Sequence, residues 1–131
     1  MVILLEIHSI LSWIIVVVGF IAIIKFLIGW ARKSEFGKMD RRLSSGFSGL
    51  IDLQVTLGSL YFLITGFGGV GFPLFRIEHL VTMLIAVFVA HAPAMFRKRA
   101  VNKFIVSFFA VIGALLLIYI GVARLPGGWS R

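Results

Sequence analysis

Four long apolar runs, each cut from the next by a short polar connector, constrain this chain more than any other feature. They cover about residues 2–30, 43–67, 76–96 and 101–122. A helix needs about 20 mostly apolar residues to cross the hydrocarbon core of a bilayer. In lipid every span must also satisfy its own backbone hydrogen bonds. Four such runs with short connections predict an all-α integral membrane protein, a four-helix up-down-up-down bundle. Composition agrees, with 60% hydrophobic and only 14% charged residues, where soluble domains average roughly 25% charged. The 131 residues leave room for a single domain with little beyond the spans.

The formal charge of +8 is unevenly placed. Arg32, Lys33, Lys38, Arg41 and Arg42 lie in the connector 31–42, and Arg97, Lys98, Arg99 and Lys103 in the connector 97–103. Basic loops of this kind stay on the cytoplasmic side, which predicts a multi-pass protein of the cytoplasmic (inner) membrane with both termini outside. Clusters placed between spans predict contact with the lipid bilayer and its anionic headgroups rather than with nucleic acid. The absence of cysteine excludes disulfides, thiolate-ligated zinc, iron–sulfur clusters and covalent c-type haem. The first run has no basic leader segment and no small-residue cleavage site, so it reads as an uncleaved span. Asp40 is predicted to cap the second span. Residues 66–73, GFGGVGFP, read as a turn; no strand precedes them and no lysine follows, so a phosphate-binding loop is excluded. Pro126, in the tail, cannot continue the fourth helix.

Chemistry is expected where ionisable groups interrupt apolar sequence, because such groups are costly in lipid and face a bundle interior. The stretch from Arg76 to Met95 carries Glu78, His79 and His91. His8 lies about six residues into the first run and His79 three or four into the third, so both fall in the outer leaflet on neighbouring helices at ~1.5 Å per residue. Two neutral imidazoles so placed are suited to be opposite axial ligands of a b-type haem, with Ser12 or Glu78 supporting them through a hydrogen bond. His91 follows His79 by twelve residues, ~18 Å along the helix and roughly 120° around it. It therefore cannot share that iron; with Asp52 and Gln54 the polar groups at its depth, a buried Asp52–His91 pair, a five-coordinate haem and a hydrogen bond to a backbone carbonyl are the open readings. Gln54, Gly58, Tyr61 and Thr65 form a small-polar stripe at helical spacing.

The bland alternatives are interhelical hydrogen bonds for the histidines and for the stripe. Glu78 is either a proton-handling acid or a side chain that reaches the outer interface and pairs with Arg76. Arg76 and Arg124 read as headgroup anchors. Copper binding by His8, His79, Met83 and Met95 lacks a clustered donor set, since Met95 lies far below the others.

The stretches HSILSW (His8 to Trp13), MDRRL (Met39 to Leu43), LIDLQVTLGSLYF (Leu50 to Phe62) and EHLVTMLIAVFVAH (Glu78 to His91) resemble small bacterial four-span membrane proteins of the cytochrome b-like type. HSILSW and the closing GVARLPGGW are also similar to the YisL-like and SirB-like four-span families. The resemblance implies one histidine on the first span and two on the third, matched by His8, His79 and His91. The chain departs from diheme cytochromes b, in which two helices each carry two histidines.

The expectation is a haem b-binding electron-transfer or redox-accessory protein with His8 and His79 as ligands. Its partner would be quinone or a larger respiratory or photosynthetic membrane complex. The rival is a cofactor-free structural or assembly subunit of a membrane complex. A small proton-linked or metal transporter using Glu78, His79 and His91 is a third option, weakened by the lack of repeats and discontinuous spans.

Overall fold

The computed structural model describes residues 2–96, 98, 99 and 102–125. The expectations for Arg97, Val101, Pro126 and Arg131 lie outside the described residues. Among those described, the chain is all-helical: α1 (Val2–Ala31), α2 (Lys38–Thr65), α3 (Leu74–Ala90), α4 (Ala92–Met95) and α5 (Lys103–Ala123). Three stretches are long and apolar enough to cross a membrane: Ile3–Ala31, Lys38–Val70 and Lys103–Ala123.

The boundaries follow from local chemistry. Helix α2 begins earlier than the apolar pattern suggests, and Asp40 is not its N-cap. Gly37 takes that place, and Asp40, three residues on, reaches back so that its Oδ2 accepts the Gly37 N–H at 3.0 Å. Beyond α2 the chain widens into a π-helical turn, Gly66–Val70, closed by the Gly71 N–H donating to the Gly66 carbonyl. Gly69 and Gly71 hold φ of 120° and 79° there, angles that glycine adopts without the clash of a Cβ. Helix α5 opens on Asn102, whose side-chain oxygen accepts from the backbone N–H of Phe104 and Ile105, satisfying two of the donors every helix start leaves over.

The third apolar run is not one helix. Helix α3 has 17 residues and ends at His91, whose backbone (φ −88°, ψ 1°) leaves the helical region before α4 resumes for a single turn. Pro93 brings no N–H to the helical ladder, which removes the bond that would have joined the two segments.

Helix α1 packs against α2 and α5, and α3 packs against the same two. Close approach uses small residues, the usual device where lipid offers no hydrophobic drive between helices. Gly19 and Gly29 of α1 receive Leu115 and Phe104 of α5. Gly58 of α2 receives the ring of His8, and Gly121 of α5 receives Met83 and His79 from α3. A Cβ at Gly58 would stand 2.9 Å from His8 Nε2, and one at Gly19 2.7 Å from Leu115. Ala22, Ala86 and Ala114 are fully buried between the helices, around Ile15, Phe26, Phe47 and Ile51. Outward positions such as Ile10, Phe20, Ile24, Phe88 and Leu116 leave large apolar side chains exposed. A lipid-facing surface has that character, and a soluble monomer rarely does.

One tie escaped the apolar reading of the first run altogether. Lys25 sits within α1, and its Nζ lies 2.9 Å from Asp40 Oδ1. Asp40 is 3% exposed and thus serves both the start of α2 and the pairing of α1 with α2. The lysine is invisible to a hydropathy average because one basic residue in a mostly apolar run of some thirty barely moves it.

Candidate functional site

The site is built from α1, α2 and α3, closed by the end of α5. Helix α1 brings His8 and, one turn later, Ser12, whose hydroxyl donates to the His8 carbonyl at 3.0 Å. Helix α2 brings Gln54, which donates through Nε2 to the same carbonyl and to Ser12 Oγ, both at 2.7 Å. A carbonyl can only accept, so the amide's orientation is set: nitrogen toward α1, oxygen away from it. Helix α3 brings His79, with its Nδ1 at 3.1 Å from the Gly121 carbonyl of α5. The same logic puts a proton on Nδ1, and in a neutral ring the lone pair then lies on Nε2.

His8, His79, Gln54, Tyr61 and Arg76 line one cavity of about 280 Å³, otherwise walled by apolar side chains such as Leu5, Phe75 and Met83. A narrow extension of about 20 Å³ continues past both histidines toward Ile15 and Ile51. Gln54 is 8% exposed, and its Oε1 is a buried acceptor with no hydrogen-bond partner among the described residues. Leaving such an oxygen unmatched costs about 1–3 kcal/mol. It is therefore a specific request for an N–H or O–H donor at this place.

Arg76 is not directed outward as a headgroup anchor. It folds across the end of α2, donating to the Gly71 carbonyl at 2.6 Å and to Thr65 Oγ1, with its guanidinium 5.2 Å above the Phe62 ring. These acceptors flank the π-helical turn, which a glycine count alone does not reveal. Glu78 does not pair with Arg76. Its carboxylate meets Arg124 at 3.2 Å on an exposed surface.

His91 belongs elsewhere. Its Nε2 lies 2.8 and 2.9 Å from the two Asp52 oxygens, joining α2 to the break after α3. Of the readings open from the sequence this is the Asp52–His91 pair, half-exposed rather than buried, and it separates His91 from the cavity of the other two histidines. Of the polar stripe, Gln54, Gly58 and Tyr61 line that cavity, while Thr65 holds Arg76. Met83 lines it as well and Met95 does not. Among the described residues no three His, Cys, Asp or Glu side chains group closely enough to hold a bare metal ion.

Chemically, the arrangement offers two imidazoles, one unmatched amide oxygen and a guanidinium around an apolar space. It defines an all-helical protein with long apolar spans and a polar-lined internal cavity. No protein-family model matches the chain, no similar curated protein is found, and no solved structure matches its fold.

Proposed function

We propose that this chain is a small redox protein of a bacterial inner membrane, a four-span up-down-up-down bundle with His8 and His79 as axial ligands of one haem b. The observation that carries the reading is the sharing of one apolar-walled cavity by His8 of α1 and His79 of α3. The His79 Nδ1 contact to a backbone carbonyl adds support, because ligating histidines commonly have their ring orientation and tautomer fixed in this way. Haem b, when bound, supplies a one-electron iron couple without covalent attachment, in keeping with a chain that has no cysteine. The chain's own residues do the rest. Gly58 lets His8 lie against α2, Gln54 and Ser12 hold its backbone, and the apolar wall excludes water. A porphyrin is larger than the 280 Å³ cavity, so its entry requires the helices around it to part. In this orientation the connectors 31–42 and 97–103 are cytoplasmic and the cavity opens to the outer leaflet, where quinone or a larger respiratory or photosynthetic complex is the exchange partner.

A second reading keeps the redox role and puts the quinol ring itself in the cavity. Gln54 Oε1 favours it, since this acceptor needs a donor and a quinol hydroxyl supplies one. The volume favours it too, lying just under the roughly 300–1,000 Å³ of small-molecule sites.

The test is a dithionite-reduced minus oxidised spectrum of the detergent-purified protein, with His8→Ala and His79→Ala beside it and quinone assayed in the solvent extract. A sharp reduced α-band, absent from both variants, establishes the haem reading. No α-band, but quinone retained by the wild type and lost from Gln54→Leu, establishes the second. Neither signal leaves the structural or assembly subunit, whose histidines and Gln54 only stitch helices together.

A further inference from the structure

A second polar cavity lies at the other end of the helices. It encloses about 500 Å³ between α2, α4 and the start of α5. Arg41, Ser44, Ser45 and Ser48 line it from α2. Their spacing of i, i+3, i+4 and i+7 puts a guanidinium and three hydroxyls on one helix face. Ser107, 1% exposed, adds a hydroxyl from α5. Lys103 closes the rim, its ammonium held by the carbonyls of Phe96 and Arg99 at 2.5 and 2.7 Å. Phe36, Ala90 and Val106 provide an apolar floor.

Charge decides what such a cavity takes. No carboxylate is among its lining residues. Asp40 is committed to Lys25 and the Gly37 N–H, and Asp52 to His91, which itself lines the cavity. Arg41 and Lys103 make no ion pair among the described residues. Arginine and lysine beside hydroxyls are a donor set that recognises phosphate oxygens. Basic pockets between spans at a cytoplasmic face are also where phospholipid headgroups seat.

We propose that this cavity binds a phosphate group, as the headgroup of an anionic phospholipid whose acyl chains lie along the exposed apolar faces of the helices. Arg41 and Lys103 supply the charge, and the hydroxyls of Ser44, Ser45 and Ser107 complete the donor set, Ser48 already donating to the Ser45 carbonyl. This rests on nothing in the haem reading.

The experiment is native mass spectrometry of the detergent-solubilised full chain with short-chain phosphatidylglycerol, short-chain phosphatidylcholine or inorganic phosphate. Wild type is expected to hold one phosphatidylglycerol about tenfold more tightly than phosphatidylcholine, and Arg41→Gln to lose about that factor. Lys103→Gln should show the same loss. Arg32→Gln, in the same connector but outside the cavity, should bind as wild type. Arg41 is exposed, so its variant tests binding even if Lys103→Gln disturbs the carbonyls it holds. Inorganic phosphate bound with the same dependence on Arg41 supports the phosphate site and assigns it to a soluble source. Phosphatidylglycerol bound equally by wild type and Arg41→Gln, or weakened as much by Arg32→Gln, overturns it.

Discussion

Around His8 and His79, neutral side chains bond backbone carbonyls across helices. Around Lys25 and His91, at the opposite end, basic side chains bond carboxylates. The first region joins α1 to α2 through Gln54 and α3 to α5 through the His79–Gly121 contact, and it leaves one amide acceptor over. The second joins α1 to α2 through Lys25–Asp40 and α2 to the α3–α4 break through Asp52–His91, with both carboxylates engaged. The same residue type therefore does different work. A histidine opposite a carbonyl, in an apolar-walled space, has its tautomer fixed through Nδ1. A histidine opposite a carboxylate spends its Nε2 on a helix-to-helix tie. Gln54 Oε1 is left without a partner among the described residues, whereas the carboxylates of the second region are closed into pairs.

The comparison breaks most visibly at the histidines. His79→Ala is expected to abolish any haem signal, while His91→Ala keeps it; loss from both would show that one histidine set acts as a unit. Gly58→Val comes next. Its Cβ has to displace the His8 ring from 2.9 Å, so bound cofactor should fall at least tenfold with the helix content unchanged by circular dichroism.

Stability comes third. Asp40→Ala removes the partner of Lys25 and of the Gly37 N–H together. Hydrogen bonds to a charged group set the expected cost at about 2 kcal/mol in thermal or denaturant unfolding in detergent. Gln54→Leu should cost less than about 1 kcal/mol, because losing its two bonds is offset by removal of the unmatched oxygen. A larger loss would mean that Oε1 is satisfied in the folded protein. Glu78→Gln is the smallest. Its carboxylate and the Arg124 guanidinium are 40% and 68% exposed. An ion pair so open to solvent is worth about 0.5 kcal/mol or less, which the same unfolding measurement checks.

Helical class and long apolar spans were legible in the residues, because hydropathy and chain length act locally and bilayer thickness sets one scale for both. The first run and α1 coincide to within a residue for that reason. The break at His91 was harder to read, as Pro93 sat within three residues of the end of a run read as one span. Which polar groups meet was beyond local reasoning. Glu78 and Arg76 are two residues apart and suggest a pair, yet the guanidinium turns to the acceptors that flank the π-helical turn, and Glu78 finds Arg124 beyond the end of α5. Lys25 finds Asp40 only because α1 and α2 fold against each other. Depth along a helix is proportional to residue number, so it placed His8 near His79 and both far from His91. The azimuth of each helix depends on where glycines admit a neighbour's side chain. Only the packed structure decided that His8 would rest on Gly58, that His79 would face Gly121, and that Gln54 would leave its oxygen without a partner beside them.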